Sequence, residues 1–75
     1  MPDALPQWIL DARAQVGRSI YARRMTQNMT QERLRDLTGI STDTIHRIED
    51  GREIKISHLF AIARALDIHP ADLLR

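Results

Sequence analysis

The chain contains no cysteine. That absence removes disulfides, thiolate catalysis and cysteine-based zinc sites together, and it fits a reducing cytoplasm, the expected location. Aromatics are scarce, with one tryptophan, one tyrosine and one phenylalanine. A lone aromatic such as Trp8 or Tyr21 on an apolar helical face is read as core before it is read as a stacking platform for single strands. No apolar run approaches the roughly 20 residues of a membrane span. Met1 to Leu10 also lacks the basic start and apolar centre of a signal peptide, so no membrane association is expected. There is no glycine-rich phosphate loop and the acids are scattered, which leaves little basis for an enzyme in so small a chain. His46, His58 and His69 fall on separate predicted elements or boundaries without i, i+4 pairing, so neither a metal nor another cofactor is expected.

What is present is short and charged. Seventy-five residues predict a single domain over 1–75, with disorder confined to residues 1–5. A chain of this size buries only roughly 60% of its unfolded surface, so its helices must depend on one another. The net charge is +1, and Lys55 is the sole lysine among 11 basic residues. Distribution says more than the total. From Ala12 to Gln31 there are Arg13, Arg18, Arg23 and Arg24 but no acid, which predicts a basic end to the molecule.

Trp8, Ala12, Val16 and Ile20 recur at four-residue steps, with Ile9 and Met25 near the same face, so the spacing predicts one amphipathic helix over about Pro6 to Met25. Thr26, Gln27 and Asn28 break it, and Thr30 is an N-cap for a second helix over about Gln31 to Thr38 carrying Leu34 and Leu37. Gly39 ends that helix as a left-handed cap. Ser41 caps a third helix, in which Ile45 and Ile48 point inward and which Gly51 stops. Arg52 to Ile56 has no helical period and reads as a loop. Ser57 is expected to cap a fourth, most apolar helix containing Leu59, Phe60, Ile62, Ala63 and Leu66, and Pro70 to open a short fifth with Leu73 and Leu74 inward. The predicted fold is all-α, five helices and no sheet.

Leu34, Leu37, Ile40, Ile45 and Ile48 sit at fixed points around the glycine turn. Burying both apolar faces across so short a connection sets the second and third helices at a large angle and leaves the first turn of the third projecting. Such a turn can enter a major groove.

Here the sequence resembles the lambda-repressor-like helix-turn-helix family, which includes phage repressors, Cro proteins and restriction-modification controller proteins. The residues that carry the resemblance are Met29-Thr30-Gln31-Glu32, Gly39-Ile40-Ser41, Ile45-His46-Arg47-Ile48-Glu49-Asp50-Gly51, and Ala63 to Ile68 leading into Asp72-Leu73-Leu74. The resemblance implies that Ser41, Thr42, Asp43, His46 and Arg47 face base edges. It implies phosphate contacts from Gln31 at a helix N-terminus and from Thr44, Arg52 and Lys55. Arg24 and Glu49 match positions that form an ion pair between the first and third helices, and Arg24 could also present a donor to phosphate. Arg47 suits guanine, whereas Asp43 fits either cap support or acceptance from a cytosine amino group. Two positions depart from the family pattern. Arg35 stands where a small residue is usual, so it must turn outward or the helix angle must change, and Thr38 replaces an apolar residue.

The function implied is a transcriptional regulator that binds a short palindromic operator in double-stranded DNA as a homodimer. Leu73, Leu74 and Phe60 either contribute to the dimer or fill the monomer core. A competing function is a protein-interaction module, antitoxin-like or coactivator-like, that uses the same fold on a protein partner. The polar Ser41 to Thr44 face favours DNA.

Overall fold

The computed structural model describes residues 4–75. Four α-helices and one 3₁₀ turn follow in order: α1 (Gln7–Thr26), α2 (Gln31–Thr38), α3 (Thr42–Glu49), α4 (Ile56–Ala65), and the closing turn Pro70–Leu73. No strand occurs among the described residues, and no helix there is long and apolar enough to cross a membrane. The fifth element is therefore a single 3₁₀ turn and not an α-helix. Its start is fixed by Pro70, and His69 Nδ1 accepts from the Ala71 N–H at 3.0 Å. Of the stretch expected to be disordered, residues 1–3 lie outside the described residues, while Ala4 and Leu5 are exposed chain ahead of α1.

Capping sets the short helices. Thr30 accepts from the Arg33 N–H at the start of α2, and Gly39 closes it at φ 78°, with its N–H donating to the Arg35 carbonyl. Ser41 accepts from the Thr44 N–H at the start of α3. The helix α4 departs from expectation. It begins one residue before Ser57, with Lys55 at the cap position and no side chain satisfying its first amides.

Ile20, Leu34, Ile45, Ile48, Ile62, Leu66 and Leu73 are fully buried and form the centre of the core, so each element contributes at least one anchor. The helix α1 packs on α3 and on the closing turn, α2 on α3 and α4, and α4 on the closing turn. Inside α1, Gly17 permits the closest approach. A Cβ there would lie 2.5 Å from the Ile48 carbonyl oxygen and 2.8 Å from that of Glu49.

Several apolar residues expected inward face solvent. Phe60 is 54% exposed, Leu74 58%, Leu37 44% and Met25 43%, although each lies on or beside a helix or turn that places another apolar residue in the core. The largest departure is Trp8, 70% exposed near the start of α1. In the predicted stripe of Trp8, Ala12, Val16 and Ile20, only the last two reach the core. Their period is helical throughout, but the body of the protein ends before the helix does.

Candidate nucleic-acid interface

The turn between α2 and α3 is held by more than Gly39. Thr38 Oγ1 donates to the Leu34 carbonyl at 2.7 Å and accepts from the Ile40 N–H at 3.1 Å. A valine or leucine at this position could not tie the last turn of α2 to the connecting turn in this way, which accounts for the hydroxyl where an apolar residue is usual. Arg35 resolves the other departure by turning outward. Its guanidinium is half exposed and pairs with the adjacent Asp36 carboxylate at 3.1 Å.

Ile45 and Ile48 bind α3 to the core, and the opposite side of the helix faces outward. Asp43, His46 and Arg47 are exposed there, with Thr42 half-buried at the helix start. Arg47 Nη2 pairs with Asp43 Oδ2 at 2.6 Å, one turn apart, both side chains largely in solvent. Asp43 thereby lies near the positive end of the helix dipole and also orients the arginine. The Ser41 hydroxyl is engaged in the cap. It accepts from the Thr44 N–H and donates to Thr44 Oγ1 at 3.0 Å, which leaves the Thr44 hydroxyl its own proton to donate outward.

Behind this surface, Arg24 and Glu49 form a buried pair. Arg24 Nε and Nη2 donate to the two Glu49 oxygens at 2.8 and 2.9 Å, and Nη1 donates to the Met29 carbonyl at 2.9 Å. The side chains are only 6% and 7% exposed. The hydrogen bond to Glu49 raises the Arg24 pKa above its ordinary value, against the opposing effect of burial. So engaged, Arg24 holds α1 to α3 and offers phosphate little surface. Gln31 joins the pair, donating through Nε2 to Glu49 Oε1 at 3.1 Å. Its side-chain amide is thus oriented inward, and the free backbone N–H groups of the first turn of α2 remain the outward donors.

The arginines of the Ala12 to Gln31 stretch do not form a common patch. Arg24 is buried against Glu49 and Arg13 pairs with Glu53 at 3.3 Å, while Arg18 and Arg23 are exposed. At about 100° of rotation per residue, Arg18 and Arg23 leave α1 in widely different directions. The expected basic end is therefore divided. Arg52 and Lys55, both exposed, flank the far end of α3 in the loop before α4.

Tyr21, which the sequence places in the core, stands at the surface instead. Its ring lies 5.4 Å from the Arg24 guanidinium carbon, and it is 52% exposed. With Gln31, His46 and Asp50 it lines a shallow groove of about 230 Å³ between α1, α2 and α3. The i, i+3 spacing of Tyr21 and Arg24 was the available signal. Among the described residues no group of histidine and acidic side chains could hold a metal ion.

Comparison with known proteins agrees with this geometry. The sequence profile described as helix-turn-helix matches residues 20–73, more than half of the chain. Among solved structures, the restriction-modification controller protein C.AhdI from Aeromonas hydrophila is 27% identical with a TM-score of 0.78, covering 81% of this chain and 94% of that one. A hypothetical transcription factor, NHTF, from Neisseria is 26% identical with a TM-score of 0.81, covering 100% of this chain and 86% of that one. Comparison with curated proteins returns no match. The turn, its caps and the polar outer face of α3 are those of a DNA-binding regulator, and the chain belongs to the Cro and phage-repressor type of the helix-turn-helix family.

Proposed function

We propose that the protein regulates transcription by binding a short palindromic operator as a homodimer, with α3 of each copy in successive major grooves roughly 34 Å apart. The observation that carries this reading is the division of α3: Ile45 and Ile48 inward, Thr42, Asp43, His46 and Arg47 outward. A face that bound protein would be expected to expose apolar side chains there, and this one exposes none.

In this arrangement Arg47, steadied by Asp43, addresses guanine O6 and N7, and Thr42, Asp43 and His46 complete the reading of base edges, with Ser41 at the rim. The first-turn amides of α2 at Gln31, the Thr44 hydroxyl, and the Arg52 and Lys55 side chains hold phosphates and set the depth of α3. Phe60 and Leu74 are available to a second copy. Leu73 is not, being fully buried in the monomer.

Selection of bound duplexes from a random library tests the reading. A palindrome is expected, with Arg47→Ala losing preference at one base pair per half-site, roughly 1–3 kcal/mol. Lys55→Ala is expected to weaken all duplexes alike and to reduce the salt slope by about 0.9. Failure to enrich any sequence at low salt would refute operator recognition.

A further inference from the structure

The first turns of α1 present an apolar surface that the monomer does not cover. The helix is tied to the body from Arg13 onward, where Arg13 meets Glu53, Ala14 packs on Gly51 and Val16 is buried. Before that point every residue from Ala4 to Ala12 is exposed except Ile9, which is half-buried. Leu5 and Leu10 are 42% and 41% exposed and flank Ile9, and Trp8 is the most exposed large apolar residue described. This arm also lies outside the segment matched by the helix-turn-helix profile, which begins at residue 20. A second uncovered set consists of Ile56 and Phe60, one turn apart on α4, and of Leu74 at the end of the closing turn that packs on α4.

We infer that these two surfaces meet between copies: the α1 arm of one protomer seats on the Ile56, Phe60 and Leu74 surface of its partner, and the partner's arm does the reverse. The inference rests on the homodimer reading above and names its interface. Area requires that both surfaces be covered. At the burial typical of apolar and aromatic side chains, each surface offers roughly 250–300 Å² of apolar area. Interfaces are only about 57% apolar, so arms paired with arms alone would cover roughly 500 Å² per copy, short of the ~800 Å² of a stable dimer. Both surfaces together imply roughly 900 Å² per copy, which suffices. The arm cannot satisfy its own chain, because α1 is one unbroken helix held to the loop after α3 at Arg13 and to α3 itself from Gly17 to Arg24. Reciprocal seating uses the same two surfaces on each copy and closes a two-fold, as a palindrome requires.

Trp8 is the sole tryptophan, so its fluorescence reports the arm directly. The test follows Trp8 emission and sedimentation of the intact chain across a dilution series, then compares Trp8→Ala, Phe60→Ala and an equimolar mixture of the two. The expected result is a blue shift of Trp8 emission with the same concentration midpoint as dimer formation. Each variant alone should associate at least about tenfold more weakly, and the mixture should recover part of that loss, since a mixed dimer keeps one intact arm-on-surface contact. A dimer whose Trp8 emission remains that of a water-exposed indole would overturn the seating and leave the homodimer reading intact. A blue shift without recovery in the mixture would overturn reciprocity in favour of like surfaces pairing. A chain that stays monomeric at all concentrations, free and on DNA, would overturn the homodimer reading itself.

Discussion

The two halves of α1 share one helix and one apolar period, yet they live in different solvents. From Val16 to Arg24 the inner face of the helix is covered by α3 and the closing turn, and Ile20 is fully buried. From Gln7 to Ala12 the same helix carries Trp8 and Leu10 into water. Periodicity reports which face of a helix is apolar and leaves open whether the chain's own body reaches far enough to cover it. About 20 residues of helix span roughly 30 Å, more than a body built from helices of eight to ten residues can line.

Substitutions along α1 and its partners sharpen that contrast, and urea unfolding of dilute protein measures them. Glu49→Ala should have the largest effect. It strands the buried Arg24 guanidinium and is expected to cost about 3–5 kcal/mol. Ile20→Ala, which opens a cavity in the walled half, should cost about 3 kcal/mol. Gly17→Ala forces a methyl group against the backbone carbonyls of Ile48 and Glu49. After the roughly 1 kcal/mol that alanine gains over glycine in a helix interior, a net loss of about 2 kcal/mol is expected. Trp8→Ala removes the largest side chain of all and should change monomer stability by less than about 0.5 kcal/mol. A loss at Trp8 comparable to that at Ile20 would erase the distinction between the two halves.

Local chemistry was the most legible part of the fold. Thr30, Gly39 and Ser41 announce the ends of α2 and α3, because a side-chain hydroxyl at an N-cap and a left-handed residue at a C-cap act within a few residues of sequence. The outward face of α3 followed from Ile45 and Ile48 alone. What could not be read depends on distant partners. Phe60 sits in the most apolar helix and Leu37 three residues after the buried Leu34, and nothing nearby in sequence reveals that no neighbour covers them. The four arginines of Ala12 to Gln31 add up along the chain, but helical rotation and the acids Glu49 and Glu53, 25 and 40 residues away, divide them. Gly17 looks like an ordinary helical glycine until the end of α3 is seen lying across it.

The Glu49 carboxylate receives donors from Arg24 on α1 and Gln31 on α2 while belonging to α3. Three segments are thereby pinned at one point, so the start of α2 and the outward face of α3, proposed above to meet phosphate and base edges, keep a set spacing like the jaws of a fixed caliper. An instrument of set width leaves adjustment to the duplex, and operators whose grooves conform at little elastic cost would be favoured even at base pairs no side chain touches.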